Sequence, residues 1–137
     1  MKKIVIIISI IFILLLMVIL ALYWFYYLGP LKLTYATTKG DIDSIKYIVK
    51  LGISPNQDAF LQGSPVNCAI ANNKLSAIEQ LYRCGTNLNN VDGYGIAPVH
   101  ASVIYSQCSM LKWLLEDTKN IKINLLSRNK KLHLIML

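Results

Sequence analysis

Few residues in this chain could do acid–base, nucleophilic or metal chemistry: two histidines, three cysteines and seven carboxylates among 137 residues. His100 and His133 lie 33 residues apart, and Cys68, Cys84 and Cys108 lack the close spacing of metal-ligand pairs. Carboxylates pair only as Asp41/Asp43, which suits the start of a helix, where negative charge meets the positive end of the dipole, and as Glu116/Asp117, which reads as solvated. No Ser-x-x-Lys, Gly-x-Ser-x-Gly, His-Glu-x-x-His or phosphate-binding glycine loop occurs. These residues predict no catalysis, no metal, no cofactor and no small-molecule substrate. A Cys68–Cys84 bridge would need an oxidising compartment and helix ends brought together; free thiols are the favoured reading.

The formal charge is +7, and residues 31–137 carry 12 Lys/Arg against 7 Asp/Glu. Much of the excess is Lys119, Lys122, Arg128, Lys130 and Lys131, a run without an acid. Such a run could touch phospholipid, nucleic acid or an acidic protein, or form a solvated edge, and the solvated edge is favoured. Aromatic residues do not interleave with the basic ones, so nucleic acid is not an expected partner.

The elements that carry these residues begin with an apolar segment. Residues 4–22 contain one polar side chain, Ser9. As a helix they span roughly 28 Å, close to the ~30 Å hydrocarbon thickness of a bilayer. Tyr23, Trp24, Phe25, Tyr26 and Tyr27 follow at once, ring types that favour the head-group layer. Gly29-Pro30 is expected to stop the helix there. A cleaved signal peptide has a shorter apolar core and small residues at its cleavage site, so an uncleaved anchor over residues 1–30, contacting the membrane through residues 4–28, is expected. Lys2 and Lys3 before the span, against Lys32 after it, place the N-terminus in the cytoplasm and the remainder outside, in a bacterium the periplasm. Abundant Ile, Asn and Lys hint at an AT-rich bacterial genome.

A 33-residue period organises residues 31–137. It relates Ala36 to Ala69, Ile45 to Ile78, Gly52 to Gly85, Asn56 to Asn89 and Pro65 to Pro98, and it continues from Ile78 and Leu81 to Leu111 and Leu114. Proline at the first helical turn loses nothing by its missing N–H. Small residues follow on an inner helix (Ala36, Ala69, Ser102), and apolar pairs on an outer one (Ile48-Val49, Leu81-Tyr82, Leu114-Leu115). Gly52 and Gly85 suit the left-handed residue that closes a helix. Ser64-Pro65-Val66-Asn67 and Ala97-Pro98-Val99-His100 resemble the Thr-Pro-Leu-His opening of ankyrin repeats, and Asp92-Gly93-Tyr94-Gly95 resembles the hairpin loop that joins them. The resemblance implies an all-α fold: one transmembrane helix, then an ankyrin solenoid of about three repeats (residues 32–64, 65–97 and 98–130) with a truncated fourth at 131–137.

The departures are local. The first repeat has Lys32-Leu33-Thr34 where the opening motif is expected and lacks its own hairpin, which sets the stack close to the membrane. Thr118 replaces the closing glycine in the third. Leu132, Leu134, Ile135 and Leu137 are expected to lie on the third repeat as an imperfect cap.

The resemblance implies a structural role for His100 and His133, bracing adjoining hairpins, and partner binding through hairpin tips and inner helices. Carried over position by position, the tips are Gln57, Asp58, Phe60, Leu61, Asn90, Val91 and Tyr94, and the inner helices expose Tyr35, Cys68, Asn72, Ala101, Ile104 and Tyr105. Phe60 and Leu61 have a second reading, packing between repeats. The function this implies is a membrane-tethered protein–protein interaction module. Small bacterial proteins of this type include some that resemble immunity proteins, inhibitors of toxic effectors. The alternatives are a stress-protection or assembly factor for a membrane or periplasmic enzyme, and a truncated copy without function.

Overall fold

The structure, a computed structural model, describes residues 1–59, 62–116, 118 and 121. Phe60, Leu61, His133 and the expected fourth repeat lie outside them. The described elements are α1 (Lys2–Tyr23), a wide π turn (Trp24–Leu28), α2 (Gly29–Lys39), α3 (Ile42–Lys50), α4 (Pro65–Ala71), α5 (Leu75–Arg83), α6 (Pro98–Ile104) and α7 (Cys108–Glu116). The fold is that of ankyrin repeats, helical and without strands among the described residues; an isolated bridge joins Ala59 to Gly63 at one hairpin tip.

The outer helices begin at 42, 75 and 108, and the prolines of α4 and α6 at 65 and 98, so the period of 33 is met in the helix boundaries themselves. Inner helices α2, α4 and α6 pack in sequence, and each also packs on its own outer helix. Ala36, Ala69 and Ser102 are buried at this seam, where only small side chains let backbones approach. Ile45, Ile78, Leu81, Met110 and Leu114 fill the layer beneath, each with no exposed surface. Tyr82 and Trp113 meet edge to face at 5.9 Å between centroids, tying α5 to α7.

Side chains cap the starts of α3 and α4. Asp41 accepts from Ser44 N at 3.1 Å and Ser64 accepts from Asn67 N at 3.1 Å, each giving an acceptor to an orphan N–H of a first turn. A second series, unseen in the sequence, closes the inner helices. Gly40, Asn73 and Ser106 share one register, and all are left-handed, at φ 78°, 55° and 55°. The next residue of each, Asp41, Lys74 and Gln107, donates its N–H back to the small-residue carbonyl of Ala36, Ala69 or Ser102. Gly85 closes α5 at φ 87°, with no atom within 4 Å of where a Cβ would stand. The cost of Gly85→Val is therefore purely conformational, and urea denaturation should show a loss of about 1–2 kcal/mol.

The expected helix stop at Gly29-Pro30 is not what the structure has. Residues from Lys2 to Lys39 form one 38-residue helix, long and apolar enough to cross a membrane. Pro30 lacks the N–H that would reach Tyr26 O four residues back, and an ordinary turn would clash with its ring. The wider π turn relieves that clash, and the Gln57 side-chain amide takes the freed Tyr26 carbonyl at 3.3 Å. Ile53, 1% exposed, lies over Gly29 so closely that a Cβ there would stand 2.3 Å from its Cδ1. The Phe25 ring approaches Gly52. The loop after α3 is thus bound to the apolar helix where that helix becomes the first inner helix.

Candidate functional site

The hairpin tips are organised by Asp92. Its Oδ1 accepts from Tyr94 N and Ile96 N, both at 2.9 Å, and its Oδ2 accepts from Asn67 Nδ2 at 2.8 Å. Asn67 Nδ2 also donates to Ile96 O at 2.9 Å. Asn67 occupies the register of His100, and both are buried, His100 at 2% exposure. Asn67 thus ties α4 to the following hairpin, and His100 is turned away from solvent.

Asp58, expected at a binding tip, is half-buried and braces the next tip by accepting from Gly93 N. Burial pushes its carboxyl above the ordinary range; the Gly93 bond opposes this, and the charge of Asp92 adds to it. Asn56 plays a comparable part, accepting from Asn87 N at 2.7 Å across the repeats.

The tips and inner helices form separate concavities. One, of about 530 Å³, holds Gln57, Asp58, Val91 and Tyr94 against Tyr26 and Tyr27 of the long helix. A smaller groove of about 130 Å³ gathers Cys68, Asn72, Tyr94 and Tyr105 between the tips and α4/α6. Tyr35 lies apart, beside Lys32 and Lys39 in a hollow of about 510 Å³, with Lys39 Nζ 5.6 Å from its ring centroid. Asn90 sits at a shallow cleft with Pro55 and Pro98. Ile104 is exposed outside these grooves. Lys39, Asn72 and Tyr105 share one register, and all three are exposed, forming a row along the inner helices.

Ala101 is corrected. It has no exposed surface, and its methyl joins the core cluster with Ala69 and Met110. Its register partners Tyr35 and Cys68 are exposed and half-exposed, so the position narrows along the stack. Sequence reasoning missed Tyr26 and Tyr27, which it assigned to the anchor alone, and the Asn67–Asp92 pair. Asn67 in a histidine register was an available signal, as was Asp92 at the head of the Asp92-Gly93-Tyr94-Gly95 loop, but the period did not join the two, since the period partner of Asp92 is Ala59.

The three cysteines are free thiols. Cys68 donates to Gln62 O at 2.9 Å, and burial, with Asp92 and Asp58 nearby, pushes its thiol up to about 11. Iodoacetamide at pH 7.5 should therefore label exposed Cys108 at least ten times faster than Cys68, as read by peptide mass spectrometry. No group of three or more His, Cys, Asp or Glu able to hold a metal occurs among the described residues.

A family profile of ankyrin repeats in three copies matches residues 33–127. The chain belongs to the ankyrin-repeat family. Its repeats make it a protein–protein interaction module. This ankyrin chain is also 26% identical over 88 residues to the potassium channel GORK of Arabidopsis thaliana, a match covering 64% of the chain and 11% of the channel. The chain thus corresponds to a small part of that relative's length.

Proposed function

We propose that the chain is a membrane-tethered interaction module that presents the row of Lys39, Asn72 and Tyr105 and the tips around Tyr94 to a partner protein. The observation that carries this reading is the single helix from Lys2 to Lys39: its first part is apolar and exposed, and its last part is an inner helix of an interaction fold. A tether of this kind raises the effective concentration of the module at the bilayer, so modest affinity suffices. Lys2 and Lys3 set the N-terminus on the cytoplasmic side and the repeats outside, the periplasm in a bacterium. On this reading the partner acts at the outer surface, and an immunity-type inhibitor of a toxic effector is one such module.

The chain should resist carbonate extraction, retain its N-terminus by mass spectrometry and give active alkaline phosphatase when the enzyme is fused after Leu137. A mature N-terminus between Leu22 and Leu33 would remove the tether. A toxin encoded beside the gene should bind the purified chain, and Tyr105→Ala should weaken it about 10-fold or more, the size of a moderate interface hot spot. Unchanged affinity would move the contact off the inner-helix row.

A further inference from the structure

Tyr26 and Tyr27 sit four and five residues beyond Leu22, the end of the apolar segment. On a continuous helix that is roughly 6–8 Å, and the head-group region adds roughly 5–7 Å on each side of the hydrocarbon core. The groove they share with Gln57, Asp58, Val91 and Tyr94 therefore opens in the head-group layer, provided the membrane reading above holds. Its height is fixed because the Gln57 amide is bonded to the Tyr26 carbonyl and Ile53 is seated over Gly29.

The lining is selective. The chain carries a net +7, yet among the described residues no Lys, Arg or His lines this groove, and Asp58 is the one charged residue there. Three tyrosines line the same groove, Tyr26 and Tyr27 edge to face at 5.0 Å between centroids, and Tyr94 56% exposed. Aromatic faces beside a carboxylate are the chemistry that holds an alkylammonium ion, through ring quadrupole and charge together. Among the described residues lining the groove, none is a cation that could meet a phosphate group.

We propose that this groove binds the ammonium end of a zwitterionic phospholipid head group, with Asp58 as counter-ion and Tyr26, Tyr27 and Tyr94 as the cage. The volume of about 530 Å³ accommodates a head group with its phosphate directed outward. The partly buried Asp58 carboxylate, whose burial disfavours its charge, gains a compensating cation.

The test uses the full chain in nanodiscs of equimolar phosphatidylethanolamine and phosphatidylglycerol, with retained lipids identified by native mass spectrometry. Phosphatidylethanolamine should be enriched about five-fold or more over phosphatidylglycerol. Asp58→Asn and Tyr94→Leu should bring the ratio near parity, while Tyr94→Phe, which keeps the ring face, should preserve it. All three variants should keep the helical circular dichroism of the parent. Parity in the parent chain, or enrichment that survives Asp58→Asn and Tyr94→Leu, overturns the proposal while leaving the tether standing. A chain that carbonate washes from the membrane takes both readings down. Equal affinity for soluble phosphoethanolamine in detergent, or displacement of the lipid by a lysine-rich peptide, would reassign the groove to a soluble ligand or a protein and also overturn it.

Discussion

Asp92→Ala should lower the stability of the repeat stack by about 3–5 kcal/mol, as much as emptying a core position. Asp92 is 8% exposed, and its carboxylate satisfies three donors, the amides of Tyr94 and Ile96 and the side chain of Asn67. Hydrogen bonds to a charged acceptor are worth about 1.5–3 kcal/mol each, and removing one partner leaves buried donors with nothing to meet. The three share one acceptor, so their losses do not simply add. Asp92→Asn is the control. Its oxygen still accepts from the two amides, but its amide now opposes that of Asn67, so a loss of about 1–2 kcal/mol is expected. Hydrogen exchange of the Tyr94 and Ile96 amides gives the local readout, with protection lost in the alanine variant and largely kept in the asparagine one. Full protection in Asp92→Ala would show that the tips are held by the backbone bond from Asp92 N to Ile96 O without the side chain.

Gly29→Ala should cost about 1–3 kcal/mol, the range for overpacking a filled site. The added methyl would meet Ile53 Cδ1 at 2.3 Å and Cγ1 at 2.9 Å, so the buried Ile53 side chain, 1% exposed, must shift to admit it. The loop after α3 should lift from the helix, losing the Gln57–Tyr26 bond. Ile53→Ala in the same chain removes the clashing atoms, so the double variant should be more stable than the sum of the single changes predicts, by about 1 kcal/mol or more. Spin labels at Tyr23 and Asn56 would follow the docking directly, their distance broadening in Gly29→Ala and narrowing again in the double variant. An unchanged distance in Gly29→Ala would mean that this seam does not hold the repeats on the helix.

Much of the repeat architecture was legible in the residues because a solenoid writes its geometry into a period. Pro65 and Pro98, Gly52 and Gly85, and Ala36 with Ala69 and Ser102 recur because each unit solves the same local problem: starting a helix, ending one, and letting two backbones approach. The apolar run was equally legible, since length and hydropathy alone decide whether a helix can cross a membrane. The left-handed series at Gly40, Asn73 and Ser106 is periodic in conformation but not in residue type, so it was visible only in the dihedrals.

What the tertiary structure decided are the contacts that the period does not repeat. Whether Pro30 ends a helix depends on what receives the carbonyl it frees, and the donor is Gln57, 31 residues away. Whether a position on the inner helix is exposed depends on the neighbour laid against it, which buries Ala101 and leaves Tyr35 open. Asp58 looked like a free tip, but the amide of Gly93 in the next repeat claims it. Tyr26 and Tyr27 became part of a groove only when the tips folded back beside them. Periodicity records what each repeat does for itself. Partners from different repeats, or from the helix outside them, are set by the docking of whole units, and no single segment of sequence encodes that distance.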